Sequence, residues 1–211
     1  MMAGMPAPTQ RTIVLGAGIA GLATALALRP MPVTLVTPGP VDAGTATAWA
    51  QGGIAAALAD DDSPARHAED TLAAGAGLCD PAVVAAVTQA APDAIRRLEA
   101  WGVAFDRAQD GGHSGDGYAR GLEGGHALAR VLHAGGDRSG AAIRQALLRA
   151  AQASPSIAFA PHRRPTALLT AGGRVAGVRL QPTDATGEPG DPQDLPARAV
   201  VLATGGYAAL Y

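Results

Sequence analysis

The chain has 211 residues, 48% of them hydrophobic and 16% charged, enough apolar material for a buried core and too few charges for a disordered, solvated polymer. A net charge of −2 leaves no basic footprint for nucleic acid. The one cysteine, Cys79, excludes an internal disulfide and fits a reducing, cytoplasmic compartment, where it is expected as a small buried side chain.

Residues 1–10 have no periodicity and read as a loose start. Thr12–Leu15 is an apolar strand, Ile19–Leu28 a buried helix stopped by Pro30, and Val33–Val36 a second strand, which together predict a right-handed unit with parallel strands. The apolar run from Ile13 to Leu28 follows Arg11, as the core of a secretory leader would. Gly16, Gly18 and Gly21 interrupt it, and it is shorter than the roughly 18 residues needed to span a membrane.

After a loop from Pro38 to Thr47, helical patterns dominate to residue 101. Ser63 and Asp80 each precede a proline, the pattern of an N-cap followed by a first helical residue. Asp60, Asp61 and Asp62 read as an acidic turn facing the first of these helix starts. Ala91, Ile95 and Leu98 share a helix face ending at Gly102.

Residues 107–141 are rich in Gly, His and Asp, and such a polar stretch in so apolar a chain is either a loop or a site. From Ser139, the positions Ile143, Ala146, Leu147 and Ala150 mark an amphipathic helix with Arg144, Gln145 and Arg149 on its wet side. Strands are expected near 157–160, 166–170 and 174–180, the last two joined as a hairpin across Ala171, Gly172 and Gly173. Residues 182–196 read as a surface loop, and Ala197–Ala203 as a buried strand running into Thr204, Gly205 and Gly206. The chain stops a few residues later with no element to cover that strand, as a truncated domain would.

The motif "GAGIAG", Gly16–Gly21, follows a strand and opens a helix, the setting that a dinucleotide fingerprint requires. Gly16 allows the tight turn, Gly18 lets a pyrophosphate approach the backbone at the helix N-terminus, and Gly21 permits close helix-to-strand packing. Where an NAD site places an acid on the ribose, this chain has Thr37 and Pro38, so the ribose contact is made differently. A second glycine-rich strand end, "ATGG" at 203–206, points to a long ligand such as FAD.

The segments "GAGIAG", "AWAQGGIAAAL", "HAEDTLAAGAGLCD", "GVAFDR", "LEGGHALARVLHAGGDRSG" and "VVLATGG", in this order, resemble the N-terminal part of the L-aspartate oxidases. These belong to the succinate dehydrogenase and fumarate reductase flavoprotein superfamily. The resemblance implies an α/β, Rossmann-like FAD-binding domain with a parallel sheet and an inserted β-meander. Residues 1–211 would be the incomplete N-terminal portion of a larger flavoprotein, cut before its capping domain.

It further implies that Ala17, Gly18, Ile19 and Ala20 lie on the pyrophosphate and that Thr37 and Pro38 sit near the adenosine ribose. Ala46, Thr47, Ala48, Trp49, Ala50, Gln51, Gly52 and Gly53 would wrap the pyrophosphate and flavin, with Thr204 and Gly205 at the second strand end. Arg164 and Pro165 would meet the adenine. In that stretch a helix from Ile54 is expected to aim its N-terminus at the phosphate, with Trp49 packing the approach. Two departures stand out: Pro38 replaces the lysine of a Ser/Thr-Lys pair, and Ala167 stands where an acid is frequent.

Dehydrogenases that bond FAD covalently carry a histidine five residues before the glutamine equivalent to Gln51; here that position is Ala46, which implies non-covalent FAD. Glu123 is either a solvated loop carboxylate or, as the resemblance implies, the contact for a substrate ammonium group. His126 and His133, with Arg130 between them, read as loop-ordering groups rather than a base or a metal pair; no metal site is expected. His67, His113 and His162 form no readable pattern.

The implied reaction is oxidation of L-aspartate to iminoaspartate with oxygen or fumarate as acceptor, the first step of de novo NAD biosynthesis through quinolinate, with quinolinate synthase as pathway partner. Its catalytic residues would lie outside this chain, and neither nucleic acid nor membrane is an expected partner. Alternatives are a succinate dehydrogenase or fumarate reductase relative, a non-catalytic FAD-binding remnant, and an NAD-binding domain.

Overall fold

The computed structural model describes residues 10–42, 44–108, 116–184 and 186–206. In chain order these form β1 (Thr12–Leu15), α1 (Ile19–Ala27), β2 (Val33–Val36), a 3-10 turn at Ala46–Trp49, β3 (Ile54–Ala55), α2 (Pro64–Ala74) and α3 (Pro81–Ala100). There follow β4 (Arg120–Gly121), β5 (Val131–Leu132), a second 3-10 turn at Gly136–Arg138, and α4 (Ser139–Gln152). The chain continues as β6 (Ile157–Ala160), β7 (Arg163–Ala171), β8 (Arg174–Pro182), β9 (Gln193–Pro196) and β10 (Ala199–Leu202). The loose start at 1–9 and His113 lie outside the described residues.

Two compact units result, Met1–Ala48 with Leu147–Tyr211, and Trp49–Ala146. In the first, β10, β1, β2 and β6 form a parallel sheet in that order, with Leu15 opposite Leu202 and Val36. The connection from β1 to β2 runs through α1 on one side, while β10 pairs on the other, so the strand order reverses between β1 and β10. At such a switch point the carboxyl ends of the strands open a crevice. The antiparallel meander β7-β8-β9 stands before β10, and Val178 and Leu180 of β8 join Ile13, Leu15, Val36 and Ala197 in one buried cluster.

In the second unit, α2 and α3 pack together beside a small antiparallel sheet, β3-β5-β4. Ser63 and Asp80 cap α2 and α3 as expected: the Ser63 hydroxyl accepts from the Arg66 N–H, and the Asp80 carboxylate from the N–H groups of Ala82 and Val83.

Five local expectations need correction. The helix foreseen from Ile54 is strand β3, because Ile54 and Ala55 pair with Leu132 and Val131, and the bare Gly53 lets the chains approach. A Cβ there would lie 2.4 Å from the Leu132 carbonyl oxygen. The loop at 182–196 contains β9, a strand only through its pairing with Gly177–Leu180. The last strand is shorter than 197–203 and sits at a sheet edge with Ala199 and Leu202 exposed. Arg144 is buried rather than wet, since α4 is covered over a wide face that includes Ile143, Ala146, Leu147 and Leu148. Cys79 is half-buried, its sulfur against Gly75.

No helix among the described residues is long and apolar enough to cross a membrane.

Candidate functional site

In the first unit, the loop after β1 turns tightly at Gly16, whose φ is +109° and whose Cβ, if present, would lie 2.2 Å from the Ala203 carbonyl oxygen. Gly21 is equally constrained: a Cβ would stand 1.9 Å from the Gly16 oxygen. Gly16 therefore makes the tight turn and Gly21 the close packing, the roles that the fingerprint gives them. Gly18 is the N-cap of α1 and offers no side chain to the helix's first N–H groups. Instead, the Thr47 hydroxyl accepts from the Ile19 N–H at 3.1 Å, and the hydroxyl's own proton remains for an acceptor beyond it.

Ala17 is buried, while Ile19, Ala20, Thr204 and Gly205 are exposed at the same carboxyl edge of the sheet. Thr37 is buried there, donating to the Gly39 carbonyl at 2.7 Å, and Pro38 beside it is exposed. Arg164 and Pro165 begin the meander opposite Gln181 and Leu180. The Thr45 hydroxyl, just before the 3-10 turn, is buried with no hydrogen-bond partner among the described residues. A helix N-terminus whose N-cap has no side chain, two glycines where a Cβ would strike backbone, and the unpartnered Thr45 hydroxyl fit a dinucleotide pyrophosphate.

The second unit holds Trp49, Ala50, Gln51, Gly52 and Gly53. Trp49 is 83% exposed. Gly52 has open space where a side chain would stand. Gln51 and Gly52 help line a cavity of about 590 Å³ with Asp106, Arg120, Glu123 and His133. Asp137 adds a further carboxylate, and Arg120 is already paired with Asp116, so the cavity wall carries an excess of negative charge. Its chemistry suits a ligand that presents a cationic group.

A family model described as an FAD binding domain matches residues 11–211. The chain belongs to this FAD-binding domain family. It is 45% identical over 203 residues to an L-aspartate oxidase of Caulobacter vibrioides, covering 94% of this chain and 38% of that protein. It is 46% identical over 200 residues to an L-aspartate oxidase of Agrobacterium fabrum, covering 95% and 36%. Among solved structures, an E. coli quinol fumarate reductase superposes with a TM-score of 0.80 at 28% identity, covering 96% of this chain and 34% of that one. The chain thus spans little more than a third of the curated relatives it matches.

What sequence reasoning missed in this FAD-binding domain is a buried ion cluster. Arg130, fully buried, donates from Nε and Nη2 to the two carboxylate oxygens of Asp62 at 2.8 and 3.0 Å, and from Nη1 to Asp70. Its Nη1 also lies 3.2 Å from His126 Nδ1. Asp70 accepts the Ala127 N–H at 2.9 Å, and the His126 N–H donates to the Glu123 carbonyl, so the cluster ties down the turn that follows Glu123. Asp62, expected as part of an acidic turn facing the start of α2, is also a buried partner of Arg130, with its side chain 1% exposed. The only local hint was an arginine inside the apolar run "ALARVL".

His67 packs its ring 5.5 Å from that of His126. Burial first, then the nearby Arg130 and His126 charges, push its pKa below the ordinary histidine value. The Ala127 N–H and the Arg130 guanidinium hold the Asp70 carboxyl below the usual carboxylate range. In both cases the unfolded chain takes up the proton first, so stability is present at high pH and falls as pH falls. For His67 the fall begins near about pH 6.5, and for Asp70 only near about pH 4. Thermal melts between these two values are expected to show a progressive loss of stability that is flattened in His67→Gln; a loss of the same slope in that variant would contradict the assignment.

Proposed function

We propose that this chain is the FAD-binding portion of an L-aspartate oxidase, holding FAD without a covalent bond. The observation that carries this reading is Glu123, whose carboxylate faces an acid-rich cavity shared with Gln51 and Gly52. A substrate ammonium pairs with such a carboxylate, and succinate has no ammonium to offer. The names of the relatives support the same substrate.

In this reading the N–H groups of Gly18 and Ala20 and the proton of the Thr47 hydroxyl hold the pyrophosphate, and Thr37 and Pro38 border the ribose. Arg164 and Pro165 border the adenine, Thr204 and Gly205 close the second strand end, and Ala46–Gly53 follow the pyrophosphate and flavin. Ala46 offers only a methyl group where a covalent link would need a nucleophilic side chain. Bound FAD supplies the hydride acceptor for the substrate α-carbon. Glu123 orients that carbon by fixing the ammonium, and positioning of this kind supplies much of the rate. The whole of residues 1–211 then forms one incomplete domain of a larger cytoplasmic enzyme. The groups that clamp the substrate carboxylates are assigned to the remainder of that enzyme, and quinolinate synthase would consume the product.

The similarity to fumarate reductase supports a second reading, oxidation or reduction of a plain dicarboxylate. One experiment separates the two. Glu123→Gln is expected to weaken L-aspartate binding about 10- to 100-fold, the worth of one hydrogen bond to a charged group, and to leave succinate binding unchanged. Equal losses for both ligands, or none for L-aspartate, would contradict the aspartate reading.

A further inference from the structure

Glu123 does not face the cavity alone. His133 Nε2 lies 3.4 Å from its Oε1, with the imidazole 28% and the carboxylate 53% exposed. The two are held very differently. His133 directly follows β5, whose two residues are paired with β3 on one side and β4 on the other. The Asp106 N–H donates to the His133 carbonyl at 2.8 Å, and Gly121 on β4 is bare where a Cβ would come within 3.5 Å of the ring. Glu123 sits on an exposed turn, between Leu122 and Gly124. The ring is therefore the fixed member of the pair.

The other charged groups facing the ring are Asp106, Arg120 and Asp137, while β3 and β5 contribute none. Asp106 accepts the N–H groups of Gly135 and Gly136 at 2.8 and 2.9 Å, and Arg120 is paired with Asp116. Glu123 is the carboxylate that lies within ion-pair distance of the ring.

We propose that His133 is a specificity-determining residue: as an imidazolium it occupies Glu123 and excludes a ligand ammonium, and as a neutral imidazole it yields the carboxylate to that ammonium. The inference rests on the reading of Glu123 as the ammonium contact. Where the ring is protonated, binding of an amino-acid ligand then displaces its proton to solvent. A dicarboxylate without an ammonium displaces none, and its negative charge favours the protonated ring. Acidification through the histidine range therefore weakens one ligand and strengthens the other.

The test is calorimetric titration of the FAD-loaded full-length enzyme, of which residues 1–211 are the FAD-binding portion, with L-aspartate and with succinate, from about pH 8.5 to about pH 5.5, the range in which histidines change charge. Each titration is run in two buffers of different ionisation enthalpy, so that proton release is read directly. The expected result is an L-aspartate affinity that falls up to about tenfold per pH unit on the acid side, with proton release, while succinate affinity holds or rises. His133→Gln, which keeps a neutral N–H donor near Glu123, should make L-aspartate binding independent of pH and end the proton release. Parallel wild-type profiles with both ligands bound, or divergence that persists in His133→Gln, overturn the role of His133. Absence of L-aspartate binding at every pH, with succinate bound, overturns the reading of Glu123 and this inference with it. Parallel wild-type profiles overturn the role even where the variant fails to fold.

Discussion

Replacing Arg130 with methionine is expected to destabilise the protein by about 3–5 kcal/mol, because it leaves the Asp62 carboxylate buried without its partner. Natural domains have about 5–15 kcal/mol in total, so the single variant stands near the threshold of folding. The cost comes from the orphaned charge rather than from lost attraction. Arg130→Met combined with Asp62→Leu should accordingly recover more than half of the loss, since an apolar pair of similar volume replaces a buried ion pair at little cost. Urea unfolding of the single and double variants measures both. A single variant within about 1 kcal/mol of wild type, the scale of an exposed pair, would mean that the cluster is solvated and does not order the Glu123 turn.

Gly21→Ala should act on the other unit with comparable force. In an ordinary helix this change gains about 1 kcal/mol. Here the new methyl carbon would lie 1.9 Å from the Gly16 oxygen and 2.9 Å from its carbonyl carbon, both backbone atoms, so α1 must move away from β1. We expect the sign to reverse, with a stability loss of about 1–3 kcal/mol, as for overpacked sites. FAD affinity should fall at least about tenfold, because the displaced helix no longer aims its N–H groups at the pyrophosphate. Flavin fluorescence titration reads the affinity. Gly190→Ala is the control, since a Cβ there meets nothing nearer than 3.8 Å and should change neither quantity.

The elements that position the dinucleotide edge were legible because their signals are local. β1 and β2 occupy the foreseen residues and α1 ends one residue early, since apolar runs punctuated by Gly16, Gly18 and Pro30 leave little choice. The caps Ser63 and Asp80 were legible for the same reason. β3 and β9 were not, because two or four residues become a strand only when a distant partner supplies the hydrogen bonds: Val131–Leu132 for one, Gly177–Leu180 for the other.

Distance along the chain also hid the ion cluster. Asp62 and Arg130 are 68 residues apart, beyond the reach of any helical or strand period. Arg144 misled for a different reason: periodicity gives the direction of a side chain but not how much of the helix surface is covered. Glu123 was legible as a residue type in a motif, whereas its neighbour His133 became meaningful only with the distance between them.

In the proposed function this chain binds FAD at the β1–α1 turn without a covalent bond. Titration of the purified chain with FAD, followed by acid precipitation, tests it most directly. The expected result is saturable quenching of flavin fluorescence at one FAD per chain, weakened in Gly21→Ala, with all the flavin in the acid supernatant. No saturable binding, or flavin retained in the protein pellet, would contradict it.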